Sequence, residues 1–186
     1  MKPYYILPCY NLIDIQKEVY NWIKNKNKNL LNSKSLWNKI DIVELLTAAP
    51  SIKKYFLFLN LKLKEVALTI LTDNKDVTLH IDELPVTAKI NIPILNTKNT
   101  FNQWYKIPKE IMSKTNPSLN EFGKNYYFFK NLDFSKLNLL GEVECTKPIV
   151  FNSQLAHNII FKKKCKFPRI VLSCTFFKEP LNYLQD

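Results

Sequence analysis

The sequence predicts a mainly β protein with helices at its N-terminal end and the strands arranged as a β-sandwich or jelly roll. Three observations carry that prediction. Apolar residues recur at helical spacing up to about residue 60 and alternate in strand fashion from Leu63 onward. About eight or nine short strand-like runs follow, most of them separated by turns carrying Pro, Asn, Asp and Lys. With 46% apolar and 13% aromatic residues, a chain of 186 residues can bury one substantial core and does not have the composition of a disordered segment.

The elements are expected in this order. Tyr4 to Leu7 reads as a short strand ended by Pro8. Asn11 or Asp14 caps a helix reaching about Ile23, with Leu12, Ile15, Val19 and Ile23 on one face. Lys24 to Asn29 alternates Lys and Asn, so it reads as a polar loop with solvated lysines. A second helix, about Ile40 to Thr47, stops before Pro50, and Ser51 caps a third from Ile52 to Leu59. Strands are then expected at 63–71, 77–81, 88–95, 99–105, 125–129, 141–145, 149–152, 157–161 and 169–176, with Asp73-Asn74-Lys75 as the first turn. The stretch from Lys106 to Asn120, with Pro108 and Pro117, reads as an insertion or active-site loop. No internal repeat is evident. A single domain over 1–186 is expected, its first 62 residues a helical buttress and 63–180 the strand-built core.

Composition narrows the functional classes. The net charge of +11 comes almost entirely from 26 lysines, Arg169 being the only arginine. A basic balance permits a polyanion partner, but base and phosphate readout favours guanidinium forks, so nucleic acid is possible and not favoured. The most apolar stretches, such as Val66 to Leu71, fall far short of the roughly 20 residues a membrane span needs. With no apolar leader after Met1-Lys2-Pro3, the cytoplasm is the expected location. Cys9, Cys145, Cys165 and Cys174 form no C-x-x-C pair, which speaks against a zinc ribbon and a disulfide framework.

The chemistry sits in few residues. The chain has two histidines, His80 in His80-Ile81-Asp82 and His157. On a strand, residues i and i+2 share a face, so His80 and Asp82 can offer an imidazole and a carboxylate to one metal ion. His157, on a later strand, is expected to reach across the barrel mouth as the third ligand. Two nitrogens and one oxygen on one side suit Fe(II) with open positions remaining. A lone histidine is more often a packing residue, so the weight falls on the combination. Arg169 heads an alternating run that puts Arg169, Val171 and Ser173 on one face. A buried guanidinium requires an anionic partner, either a structural carboxylate or a ligand, to which Ser173 can add a hydrogen bond. A hairpin over 162–167 is expected to make the His157 and Arg169 strands antiparallel neighbours.

Taken together, His80-Ile81-Asp82 with Ala88-Lys89-Ile90-Asn91-Ile92-Pro93, Lys147-Pro148-Ile149-Val150-Phe151-Asn152 leading to His157, and Phe167-Pro168-Arg169-Ile170-Val171-Leu172 resemble the 2-oxoglutarate/Fe(II)-dependent oxygenases. Within them the chain looks most like aspartyl/asparaginyl β-hydroxylase-type members and small phage-encoded relatives. The resemblance implies a double-stranded β-helix (jelly roll, cupin-like) and Fe(II) held by His80, Asp82 and His157. It also implies 2-oxoglutarate as cosubstrate with O2, and hydroxylation of a protein side chain or small metabolite with release of succinate and CO2. Arg169, with Ser173, would take the distal carboxylate of the cosubstrate. The hydroxylase group carries a basic residue and a histidine facing the cosubstrate 9 and 11 positions after the first ligand; here those positions hold Lys89 and Asn91. Asn91 departs from the pattern, and Asp82 supplies a carboxylate that some of those hydroxylases lack. Trp104, Tyr105 and the 106–120 loop are the substrate-side candidates. A nucleic-acid-directed oxygenase and a non-enzymatic jelly-roll interaction protein are the competing readings.

Overall fold

The computed structural model describes residues 1–26, 28–31, 36–74, 77–82, 86–119, 125–130 and 132–185. The elements in chain order are β1 (Tyr4–Ile6), α1 (Leu12–Lys26), α2 (Lys28–Leu31), β2 (Trp37–Ile40), α3 (Ile42–Ala48), α4 (Pro50–Phe58), β3 (Leu63–Leu71), β4 (Val77–Asp82), β5 (Ala88–Leu95) and β6 (Thr100–Lys106). They continue with α5 (Lys109–Met112), β7 (Ser118–Leu119), β8 (Asn125–Phe128), β9 (Asn138–Glu144), β10 (Ile149–Asn152), β11 (Ala156–Phe161) and β12 (Arg169–Phe176). The strands form two antiparallel six-stranded sheets, ordered β1-β10-β5-β12-β3-β2 and β7-β8-β4-β11-β6-β9. The protein is therefore mostly β, a sandwich of jelly-roll type.

Strand period explains how the layers stack. In the first sheet Val66, Leu68, Ile70, Ile90, Ile92, Ile94, Ile170 and Leu172 share one buried cluster with Ile15, Val19, Ile23, Leu45, Ile52 and Phe56 of the helices. The alternate residues Lys89, Asn91, Arg169, Val171 and Ser173 must then face the second sheet. Contacts across the gap agree: Arg169 reaches Thr100 of β6, and Tyr4 of β1 stacks on Trp104 of β6 at 5.0 Å. Covering both faces of the central strands makes β12 read as a nearly continuous apolar run. Truncating a fully buried member such as Leu172 to alanine would cost about 2–5 kcal/mol.

Several sequence expectations are revised by this packing. The polar loop expected over 24–29 is largely helical, α1 running to Lys26 and α2 starting at Lys28, with Asn27 outside the described residues. Lysines have good helix propensity, and the Lys/Asn alternation concealed it. Residues 37–40 are a strand, and α3 begins only at Ile42 behind an Asp41 cap whose side chain accepts from Glu44 N at 2.8 Å. Ser51 is not a cap. It lies inside α4, with Pro50 in the first turn, and its hydroxyl donates to Glu18 at 2.9 Å. The expected 106–120 loop contains α5 and β7, and its last residue, Asn120, lies outside the described residues, as does Lys75 of the first turn. The positive φ of Asn96 and Asn99 (53° and 64°) turns the chain from β5 in one sheet to β6 in the other, which asparagine tolerates well.

β11 and β12 are not neighbours: β11 lies between β4 and β6, and β12 between β5 and β3 in the opposite sheet. The segment between them crosses the sandwich, so His157 and Arg169 face the interior from opposite walls.

Candidate metal centre and anion site

His80 and Asp82 share the inner face of β4, and His157 is the direct cross-strand partner of His80 on β11. His157 therefore stands beside His80 and does not reach over a barrel mouth. The imidazole centroids are 4.3 Å apart. Asp82 Oδ1 lies 3.8 Å from His80 Nε2 and Asp82 Oδ2 lies 4.0 Å from His157 Nε2. One ligand atom from each of the three residues lies within 4.8 Å of the other two, spacing that could hold a metal ion.

The ring orientation follows from backbone acceptors. His80 Nδ1 is 2.9 Å from the carbonyl of Thr78, and His157 Nδ1 is 2.8 Å from that of Leu155. A carbonyl only accepts, so each Nδ1 carries the proton and each Nε2 presents a lone pair towards Asp82. Burial lowers the pKa of both imidazoles against the opposing pull of Asp82, that of His157 to about 3. Burial would raise the Asp82 carboxyl, but the Lys89 ammonium, through its charge and its hydrogen bond, brings it below its ordinary value. The three groups are thus in metal-binding protonation states at neutral pH.

Asp82 is also fixed through its backbone. Its amide donates to Ser153 O at 3.0 Å, and Gln154 Nε2 donates to Asp82 O and Val86 O, each at 2.7 Å. The turn before β11 therefore clamps the end of β4, locking the three side chains together. Lys89 of β5 crosses the gap to Asp82 Oδ2 at 2.5 Å.

Arg169 lies deeper in the sandwich, 1% exposed. Its Nε donates to Thr100 Oγ1 at 3.0 Å, while both terminal guanidinium nitrogens are buried with no nitrogen or oxygen partner, the Cys145 thiol being the side chain that meets the group. The thiols of Cys145 and Cys165 neighbour it, but burial raises the pKa of both, so neither supplies an anion. Unpaired buried guanidinium nitrogens cost about 1–3 kcal/mol each, and an anionic ligand is the group that would satisfy them. Asn91 Oδ1 and Trp104 Nε1 are likewise buried and unpartnered. Ser173 pairs across strands with Asn91 on the same inner face.

Of the substrate-side candidates, Trp104 faces inward opposite His157, stacked on Tyr4 and 6.0 Å from Phe151. Tyr105 faces outward, its hydroxyl donating to Gln103 at 2.6 Å within a separate apolar cluster, so strand parity removes it from the site. The sequence reading missed Trp37, Tyr126 and Phe128, whose rings lie about His80 at centroid distances of 6.0 Å. It also missed Gln154 and Thr100. Alternation within β8 was the available signal for Tyr126 and Phe128; Trp37 had none, because its strand was not recognised.

No protein-family model matches the sequence, and no curated protein matches it. Solved structures do. HygX from Streptomyces hygroscopicus, with nickel and 2-oxoglutarate bound, superposes with a TM-score of 0.52 at 12% identity, over 93% of this chain and 81% of that one. The epimerase SnoN, in complex with Fe3+, alpha ketoglutarate and nogalamycin RO, gives a TM-score of 0.52 at 10% identity, over 94% and 78%. The fold is shared with these proteins. Among the described residues, no helix is long and apolar enough to cross a membrane.

Proposed function

We propose that this chain is an Fe(II)- and 2-oxoglutarate-dependent dioxygenase on a double-stranded β-helix, hydroxylating a protein side chain or small metabolite. One observation carries the reading: His80, Asp82 and His157 converge on one wall of the sandwich while Arg169 faces the same interior with two unsatisfied nitrogens. The solved structures of HygX and SnoN, which hold a metal and 2-oxoglutarate (alpha ketoglutarate) in a similar fold, support it. Lys89, at the position where aspartyl/asparaginyl β-hydroxylase-type members face a basic residue to their cosubstrate, favours that branch, while Asn91 stands where they carry a histidine.

His80 Nε2, His157 Nε2 and an Asp82 oxygen would hold the metal, and the two carbonyl-anchored Nδ1 protons keep the rings turned towards it. Bound Fe(II) with 2-oxoglutarate supplies O2 activation coupled to decarboxylation, leaving succinate and CO2. The residues around it bind and orient. Arg169, held by Thr100, would pair bidentately with the distal carboxylate, and Lys89, Asn91 and Ser173 line the same inner face. Trp104 and Phe151, nearly fully buried, keep water from the His157 side.

The test is succinate formation from 2-oxoglutarate with Fe(II) and O2, together with anaerobic binding of 2-oxoglutarate to the metal-loaded protein. Absence of both would defeat the proposal. Salt-sensitive binding to single-stranded DNA would redirect it to a nucleic-acid substrate.

A further inference from the structure

We infer that Lys89 is an internal counter-ion that occupies Asp82 in the metal-free centre and is displaced when a metal loads, coupling metal binding to capture of an anionic cosubstrate. The inference rests on the proposed function, since it concerns the same three ligands. Asp82 is 3% exposed, and a carboxylate so buried requires a compensating positive charge. The imidazoles do not provide one within hydrogen-bond reach, their Nε2 atoms standing 3.8 and 4.0 Å from its oxygens. Lys89 does, at 2.5 Å from Oδ2. That oxygen is the one turned towards His157 Nε2. An ammonium group and a divalent cation would compete for it, since like charges in a poorly solvated interior repel strongly.

The released ammonium has somewhere to go. Lys89 and Asn91 occupy the same face of β5, and the buried Asn91 Oδ1 has no donor. The Lys89 ammonium also lies 5.9 Å from the centroid of the Tyr126 ring, within cation–π range. Turned from Asp82 towards Asn91, Lys89 adds its charge to the inner face that carries Ser173, where an anionic cosubstrate would meet it. Metal and 2-oxoglutarate should then each tighten the binding of the other by the same factor.

The experiment is Mn(II) binding to the full chain without turnover, followed by calorimetry or by the electron paramagnetic signal of free Mn(II). Wild type is compared with Lys89→Met and Lys89→Gln, each with and without 2-oxoglutarate. Losing the competing charge-assisted contact should tighten Mn(II) binding about tenfold or more in the variants without cosubstrate. The tightening that 2-oxoglutarate brings should be larger in wild type. Should Lys89→Met fail to fold, Lys89→Gln, whose amide can still donate to Asp82, carries the comparison. Unchanged or weaker Mn(II) binding in the folded variants overturns this inference alone. A wild-type protein that binds no Mn(II) overturns the proposed function with it.

Discussion

Replacing Arg169 with methionine should make the ligand-free protein more stable, the reverse of what truncating a well-buried core residue usually does. Two buried guanidinium nitrogens lack nitrogen or oxygen partners, at a cost of about 1–3 kcal/mol each. The substitution removes that cost and forfeits the Nε bond to Thr100, worth about 1 kcal/mol, plus a similar amount for imperfect packing. The balance is a gain of about 0–4 kcal/mol, centred near 2, or roughly 4–8 °C in Tm at that centre for a chain of this length. With 2-oxoglutarate added to the Mn(II)-loaded proteins the gap should narrow. Wild type then gains about 2.7 kcal/mol from the cosubstrate at a hundredfold excess over Kd, and the variant, which keeps Mn(II) but binds 2-oxoglutarate about a hundredfold more weakly, gains about 0.4 kcal/mol. Thermal denaturation of both proteins, with and without ligands, reads both effects. A ligand-free Arg169→Met protein destabilised by about 2 kcal/mol or more would show that the guanidinium is a satisfied structural group, and would refute the reasoning.

His80→Ala, Asp82→Ala and His157→Ala should each abolish detectable Mn(II) binding, while Arg169→Met keeps it and loses 2-oxoglutarate affinity by about a hundredfold, since a charge-paired bidentate contact is worth about 3 kcal/mol. Because His157 is lowered to about 3 in the folded protein against 6.5 in the unfolded chain, only the unfolded chain takes up that proton between those values. Metal-free stability should therefore be fully present above about pH 6.5 and fall with pH through that window, by up to about 1.4 kcal/mol per pH unit; urea titrations of His157→Phe should show a flatter profile, and identical slopes would count against the assignment. Gly141→Ala should destabilise by about 1–3 kcal/mol, because the new Cβ would meet the ring carbon Cγ of Pro3 at 2.8 Å and Cε1 of Tyr4 at 3.1 Å, and an unchanged urea midpoint would contradict that contact.

Much of the strand inventory was legible because alternation is a local property. Leu63–Leu71, Ala88–Leu95, Ile149–Asn152 and Arg169–Phe176 have the bounds the pattern predicted. The same alternation placed His80 with Asp82, and Lys89 with Asn91, on common faces. Short elements escaped it. β2 is four residues long, with a polar Asn-Lys pair between Trp37 and Ile40, too brief for a period to emerge. Tyr105 was misjudged for a related reason: period two separates it from Trp104 on opposite faces, but which face is the interior depends on what packs against each side.

By itself the sequence determined the residue types and their spacing: two imidazoles, a carboxylate two positions from one of them, and a single guanidinium. It also determined which side chains share a face, since that follows from a two-residue period within one strand. Only the tertiary structure decided which strands meet. Pairing is non-local, and nothing in an alternating run names its partner, so β11 could join β4 and β6 while β12 joined the opposite sheet. That choice set His157 beside His80, put Arg169 across the gap with two nitrogens unsatisfied, and drove Lys89 onto Asp82. The chemistry of the site depends on these contacts, and they exist only when both sheets are folded against each other.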